Sequence, residues 1–134
     1  MATIANIIGA ELQDELCAED SLDMTRLFQG GQQPIRANMV HNTREKQFAV
    51  RSGQWVLINH PTGSMTKMPK WFAESQKYES TTADHLLYDL ENDLGQRINL
   101  SLTNKSKVRQ MTALLESIQK AGHSAPRLTG GTKR

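Results

Sequence analysis

The sequence predicts an α+β fold: a small antiparallel sheet of about four strands with a C-terminal helix packed across one face. Two observations lead to this prediction. Apolar and polar residues alternate on both sides of a turn at Ser52-Gly53, which indicates a β-hairpin. Near the C-terminus, apolar residues recur at spacings of three and four, which indicates a long amphipathic helix.

Length and composition fit one small domain that has a partner. The chain has 134 residues, and its apolar share of 37% is low for a free-standing domain, as expected if part of its surface packs on another domain. Sixteen Lys and Arg residues against fourteen Asp and Glu residues give a net charge of +2, which is too balanced to favour nucleic acid. No apolar run is long enough to cross a membrane, and no signal peptide is recognisable, so compartment is left open.

Residues 1–31 are predicted to form short helices. Ile4, Ile7 and Ile8 lie on one helical face, and Gly9 ends that helix. Asp20 or Ser21 is expected to cap a second helix, with Asp23 in a capping-box-like contact. Its expected buried side consists of Leu22, Met24, Leu27 and Phe28.

Four strands are predicted in the central part of the chain, and they cover residues 34–42, 47–51, 54–59 and 86–90. Val56 and Ile58 fall on one face of the hairpin, whereas Trp55 and Leu57 fall on the other, so both sheet faces are expected to be covered. Residues 60–84 are predicted to be irregular and to form an interface or a functional loop.

The last helix is expected to begin after Asn104 as its cap and to end at Gly122. Its apolar face consists of Val108, Met111, Leu115 and Ile118. Residues 123–134 are predicted to be a disordered tail that holds much of the basic excess.

Five blocks of sequence, taken in this order, resemble one known subdomain. The blocks are residues 2–9, residues 19–30, Pro34-Ile-Arg36 with Val40-His41, Phe48-Ala-Val-Arg51 with Gly53 and Trp55, and Leu87-Tyr-Asp-Leu90 with Asp93 and Asn99-Leu100. They are similar to the C-terminal subdomain of the arylsulfatase family, the formylglycine-dependent sulfatases. The resemblance implies an alkaline-phosphatase-like parent fold, in which residues 1–31 border an absent catalytic domain and residues 32–122 form the subdomain.

The chain departs from the family pattern at Leu94-Gly95-Gln96, where many members have Pro-Gly-Glu, and at Val56, where many have Lys. These departures indicate a subgroup of the family rather than a different fold.

The family's catalytic elements do not match this sequence. Formylglycine forms from Cys or Ser in Cys/Ser-x-Pro-x-Arg, but Cys17 is followed by Ala-Glu-Asp, and in Ser124-Ala-Pro126 the arginine follows the proline directly. The Asp/Asn cluster that holds calcium in the family also has no counterpart in the sequence. We therefore expect no cofactor in this chain, with calcium and formylglycine in a separate N-terminal catalytic domain, and no hydrolysis of sulfate esters by the chain alone.

Four residues are candidates to line the substrate cleft. By the resemblance, His41 would lie near the mouth of the active site and attract an anionic substrate; equally, it could be half-buried at a sheet edge. Arg51 could meet a sulfate with its planar guanidinium, although an ion pair with Asp89 is favoured. Trp71 and Phe72, near Lys67 and Lys70, could stack on a sugar, while packing against the absent domain is slightly favoured.

Three further aromatic and acidic residues are expected to be structural. Trp55 would anchor a core or a domain interface, Tyr88 would pack, and Asp89 would hold the turn that follows it. His60, His85 and His123 have no partners at the spacing of metal ligands, so zinc is not expected.

The leading hypothesis is the C-terminal portion of an arylsulfatase-like sulfuric ester hydrolase, with a structural and cleft-lining role. The alternative is a free-standing module that binds an anionic glycan or a protein partner. The expected partner is the catalytic domain, and a homo-oligomer through an exposed sheet face is also considered. Nucleic acid and membrane are not expected, and the compartment stays open because full-length relatives are often exported.

Overall fold

The structure, a computed structural model, describes residues 1–12, 20–61, 69–78 and 83–125. It divides into two compact units: Asn38–Ser117, here called the sheet unit, and Met1–Ala37 with Ile118–Arg134, here called the terminal unit. Across the described ranges the elements are α1 Ala2–Ile8, α2 Thr25–Phe28, β1 Asn38–Arg44, β2 Gln47–Ser52, β3 Trp55–Ile58, α3 Lys70–Ser75, β4 Leu86–Asp89 and α4 Lys105–Ala121.

The sheet unit is built on an antiparallel sheet whose four described strands follow one another in the order β1-β2-β3-β4. Each strand therefore pairs with its neighbour in sequence, and the predicted antiparallel sheet of about four strands is confirmed. Two of the turns are tight. Gly53 takes the left-handed conformation, φ 57°, in the two-residue connection between β2 and β3, where Ser52 pairs with Trp55. Lys46 takes φ 63° between β1 and β2.

The first face of the sheet carries the core. One row crosses all four strands, because Val40 pairs with Val50, Val50 with Leu57, and Leu57 with Leu87. Val50, Leu57 and Leu87 are completely buried. Directly opposed side chains share a face and pack against one another, so this row holds the strands in register.

Helix α4 lies across this first face. The Lys107 ammonium is 5.2 Å from the centroid of the Trp55 ring, and Met111 and Leu115, one and two turns further along, are buried. The Asn104 side chain accepts a hydrogen bond from the Lys107 amide (3.2 Å), which confirms it as the helix cap. Gly122, at φ 77°, ends the helix as predicted.

The second face is divided between a covered half and an open half. Val56 and Leu86, on the two later strands, are buried. On the two earlier strands, His41 and Arg51 are exposed, and Met39 is 41% exposed. The expectation that both faces are covered is therefore met only over β3 and β4.

The outer edge of β4 is closed by the segment that precedes α4. Asn99 Oδ1 accepts a hydrogen bond from the Leu87 amide (2.9 Å), and the Leu100 amide donates to the Leu87 carbonyl (2.8 Å). Asn99 Nδ2 also donates to the His85 carbonyl (3.3 Å). Since an open strand edge leaves backbone groups unpaired, these contacts protect the strand that carries the buried Leu87.

Two boundaries in the sheet unit differ from the prediction. The first strand begins at Asn38 rather than at Pro34. Residues 60–84, predicted to be irregular, contain the helix α3 directly after Pro69, whose carbonyl accepts hydrogen bonds from the Phe72 and Ala73 amides. A proline is well suited to a helix start, and that signal was present in the sequence.

The terminal unit is built around α1, which ends at Gly9 as predicted. Thr3 and Asn6 bind the segment that leads into α2: Thr3 Oγ1 accepts from the Met24 amide (3.0 Å), and Asn6 Nδ2 donates to Asp23 (2.7 Å). This polar side contains the buried Ala2 and Ala5, whereas Ile4, Ile7 and Ile8 are 58–70% exposed.

The prediction for α2 was wrong in its cap and in its buried side. The helix begins at Thr25, whose amide donates to Asp23 Oδ1 (2.9 Å), while Ser21 Oγ instead accepts from the Ala2 amide (2.8 Å). Leu27 is 40% and Phe28 is 75% exposed. A single helical turn is too short to bury one side of itself, so its apolar residues do not form the expected core face.

The residues after α4 make contacts inside the terminal unit. The Ser124 amide and hydroxyl both donate to Asp20 Oδ1, and Arg36 donates to the Ser124 hydroxyl (3.1 Å). Residues 123–125 of the predicted tail thus have defined positions, and residues 126–134 lie outside the described ranges. None of the described helices has the length and apolar character needed to span a membrane.

We predict that Leu57→Ala lowers the free energy of unfolding by about 2–5 kcal/mol, because it opens a cavity at the centre of the completely buried row. The matched control is Leu94→Ala, since Leu94 is 81% exposed. Its effect should stay within about 0.5 kcal/mol. Urea denaturation of both variants checks this, and equal losses would contradict the assignment of the core.

We also predict that Asn99→Ala costs about 1–3 kcal/mol, because it leaves the amide of buried Leu87 without its acceptor. Asn99→Asp keeps the Oδ1 acceptor and should retain most of the stability. Thermal denaturation of the two variants separates the roles of the oxygen and the amide nitrogen. Equal losses in both would mean that the hydrogen bond to the His85 carbonyl carries the effect instead.

Candidate substrate-facing site

The structure brings two of the four candidate cleft residues together. His41 pairs with Ala49, and Arg51 pairs with Met39, so His41 and Arg51 are diagonal neighbours on β1 and β2. Diagonal neighbours on one face of a sheet lie about 7–8 Å apart, within reach of long side chains. Both side chains project from the open half of the second face. We call this pair, together with Ala49, which pairs with His41, the open-face site.

The open-face site is suited to an anion. The side chains of His41 and Arg51 are both exposed. Arg51 Nε donates to the Gly53 carbonyl (3.1 Å), which orients the guanidinium, and among the described residues that group makes no other hydrogen bond. A guanidinium with free N–H groups can hold a sulfate or carboxylate through paired hydrogen bonds, and a protonated imidazole adds positive charge.

The favoured ion pair between Arg51 and Asp89 is wrong, and the register shows why. Arg51 lies in the row with Val56 and Tyr88, on the second face. Asp89 pairs with Trp55, on the first face. The two side chains therefore point to opposite sides of the sheet. The alternative for His41 also fails in part, since it lies on an edge strand but is exposed rather than half-buried.

Asp89 is the centre of a polar cluster at the end of β4. Its carboxylate accepts hydrogen bonds from Gln54 Nε2 (3.1 Å), the Glu91 amide (3.1 Å) and Asn92 Nδ2 (2.9 Å). These hydrogen bonds, of which the one from Asn92 has the largest effect, lower the pKa of Asp89 more than burial raises it. The pKa therefore lies below its ordinary value of 3.8. The predicted role of Asp89 in fixing the turn that follows it is confirmed. Its hydrogen bond from Gln54, in the hairpin turn, could not be predicted from the sequence.

Tyr88 and Trp55 have the structural roles that were expected. Trp55 is half-buried and lies beneath Lys107. Burial raises the pKa of the Tyr88 phenol above 10.0, and electrostatic interactions with Asp93 and Tyr78 add to this shift. Lys107 was missed, because a lysine in the first turn of a helix gives no sign in sequence of the ring it will cover.

Trp71 and Phe72 form an aromatic pair on α3. Their ring centroids are 5.7 Å apart at an angle of 88°, an edge-to-face contact. Trp71 is 70% and Phe72 is 37% exposed. Lys70, next to them, pairs with Glu74 one turn along (3.8 Å), and Lys67 lies outside the described residues.

The described residues contain no cluster of metal-ligating side chains. In the described ranges no group of three or more His, Cys, Asp or Glu side chains could hold a metal ion, and Cys17 lies outside them. His60 Nε2 lies 3.3 Å from Gln47 Nε2, and His123 Nδ1 lies 2.6 Å from the Ala125 carbonyl.

Comparison with solved structures finds a similar fold in a sulfatase of Bacteroides thetaiotaomicron, from work on the metabolism of multiple glycosaminoglycans. The TM-score is 0.65 at 24% identity, over 89% of this chain and 24% of that chain. A second solved protein, Ps i-CgsB, gives a TM-score of 0.51 at 18% identity, over 87% of this chain and 22% of that chain. This chain therefore has a sulfatase-related fold and spans about a quarter of the length of these proteins.

The sequence matches no protein-family model and none of the curated proteins.

We predict that Asp89 makes the free energy of unfolding depend on pH in the acidic range. Because its folded pKa is lowered, its contribution is present above the unfolded value of about 3.9 and is lost as the pH falls through the folded value. Asp89→Asn should lower the urea midpoint at about pH 7 and lose less than the wild type between that pH and about pH 3. Leu57→Ala changes no charge and should keep the wild-type loss. An Asp89→Asn profile parallel to the wild type would contradict the prediction.

Proposed function

We propose that this chain is the C-terminal portion of an arylsulfatase-like sulfuric ester hydrolase, where it completes the fold and lines one side of the substrate cleft. The observation that carries the proposal is the fold similarity, which covers 89% of this chain but 24% of the sulfatase. A fold that accounts for a quarter of a larger enzyme is most simply one part of such an enzyme. The ordered sequence blocks that resemble the family's C-terminal subdomain support the same assignment.

The proposal assigns catalysis to a different domain from the one formed by this chain. They include no cluster able to hold a metal ion, and the sequence lacks Cys/Ser-x-Pro-x-Arg. The proposal therefore places the formylglycine nucleophile and calcium in an N-terminal catalytic domain that partners this chain. By itself the chain is inactive toward sulfate esters.

The open-face site supplies the cleft-lining role. His41 and Arg51 are exposed, lie on one face and carry or can acquire positive charge, so they attract a sulfate or carboxylate group. The similar sulfatase comes from work on glycosaminoglycan metabolism. By analogy, the proposed substrate class is a sulfated glycan, with His41 and Arg51 contacting an anionic group of the sugar chain.

The second candidate is a free-standing module that binds an anionic glycan or a protein partner. The exposed Trp71 favours it, because an aromatic binding residue needs no catalytic domain to function. Both candidates include anion binding at the open-face site, so they differ in dependence on a partner rather than in the site itself.

We predict that the purified chain releases no sulfate from a chromogenic aryl sulfate in the presence of calcium, although circular dichroism shows it folded. Turnover above that of a heat-denatured sample would overturn the assignment of catalysis to another domain. Activity restored by adding a separately expressed catalytic domain would favour the sulfatase portion over the free-standing module.

We further predict that Arg51→Ala weakens binding of a chondroitin sulfate hexasaccharide by about tenfold, the usual loss for an arginine at the centre of a contact. His41→Ala should also weaken binding, because it removes an exposed imidazole that can donate a hydrogen bond to an anion. The matched control is Arg109→Ala, which removes an exposed cation from α4. Isothermal titration calorimetry measures all three, and equal losses from Arg51→Ala and Arg109→Ala would indicate unspecific charge attraction.

A further inference from the structure

We infer that Trp71 is a stacking platform for a single sugar ring of the bound glycan. This inference rests on the proposed function, since it adds a second contact for the same class of ligand. The first observation is exposure: Trp71 is 70% exposed, although a tryptophan side chain gains a large burial energy when it packs. Trp55, the other tryptophan, is half-buried and lies beneath Lys107. A tryptophan left open to solvent therefore needs a reason beyond stability.

The second observation is that the ring has an aromatic neighbour and that the end of its helix is tied to another loop. Phe72 contacts it edge to face, with the centroids 5.7 Å apart. Downstream of α3, Tyr78 Oη donates to the Gly95 carbonyl (3.2 Å), and Arg97 donates to Gln76 Oε1 (3.3 Å). These contacts join the α3 segment to the loop after β4. A helix tied to a neighbouring loop needs less ordering when a ligand arrives, which favours affinity.

The third observation is the character of the rim. Lys70 and Glu74 form an ion pair on α3, and their side chains are 91% and 67% exposed. Lys77, at the end of the helix, is also exposed. Lysine and glutamate are depleted from the cores of protein interfaces, where desolvation of charge is costly. By itself, one aromatic face within a charged rim is smaller than a stable protein interface, which buries about 800 Å² on each partner.

A pyranose ring fits this arrangement in size and chemistry. Its C–H face is apolar and can lie flat on the indole, while its hydroxyl and sulfate groups reach the charged rim. Lys70 would meet an anionic substituent of that ring or of the next one. The same indole could stack on a nucleobase, but a net charge of +2 gives the chain little attraction for a phosphate backbone.

The test is titration of the chain with the chondroitin sulfate hexasaccharide used for the open-face site. Binding is measured by calorimetry, and the indole N–H signal of Trp71 is followed by NMR. We expect Trp71→Ala to weaken binding by about tenfold or more, and Trp71→Phe to recover part of that loss. The matched control is Phe28→Ala, an aromatic residue of similar exposure at 75% that should leave binding unchanged. Trp71→Ala removes little buried surface, so circular dichroism should show a native fold.

The outcomes separate this inference from the proposed function. Wild-type affinity in Trp71→Ala, together with weaker binding in Arg51→Ala, would overturn the stacking role and leave the open-face site standing. No binding of the hexasaccharide by the wild-type chain would overturn both. Unchanged glycan binding with loss of self-association in Trp71→Ala, measured by analytical ultracentrifugation, would make Trp71 a protein contact and overturn the inference. A shift of the Trp71 indole signal on titration, equal in the wild type and in Phe28→Ala, supports it.

Discussion

The register of the four-stranded sheet is the constraint on which the rest of the sheet unit depends. The row through Val50, Leu57 and Leu87 is completely buried, and a slip of one residue in any strand would turn its core side chains toward solvent. The same register decides the second face. Because side chains alternate along a strand, burying Val50 places Arg51 on the opposite side, beside His41. The open-face site is thus a geometric consequence of the core.

Polar side chains at both ends of β4 add to the stability that the buried apolar row provides. At one end of β4, Asn99 provides an acceptor for the amide of buried Leu87. At the other end, Asp89 joins the hairpin turn to the loop after the strand through Gln54 and Asn92. A buried backbone group without a hydrogen-bond partner lowers the free energy of unfolding. These contacts therefore contribute to the stability of β4 at the edge of the sheet. They also orient the loop that meets the end of the α3 segment.

The second face of the sheet has a covered half and an open half. Its half over β3 and β4 is covered and supports the core, whereas its half over β1 and β2 presents the exposed side chains of His41 and Arg51. Trp71 adds an aromatic surface on a short helix whose position is held by Gln76 and Tyr78. Under the proposed function, these few polar groups and one aromatic ring contact the glycan, and they need no catalytic group of their own.

The sequence by itself determined the elements whose signals are local: the Ser52-Gly53 hairpin, the cap at Asn104 and the periodic apolar face of α4. It also identified the sulfatase-related fold, through blocks in a fixed order. Only the tertiary structure decided which charged groups meet. Arg51 and Asp89 looked like partners along the chain, yet the pleat of the sheet separates them, and Phe28, apolar and helical, stays exposed. The physical reason is that propensity acts within a few residues, whereas burial and pairing depend on strands brought together across the fold.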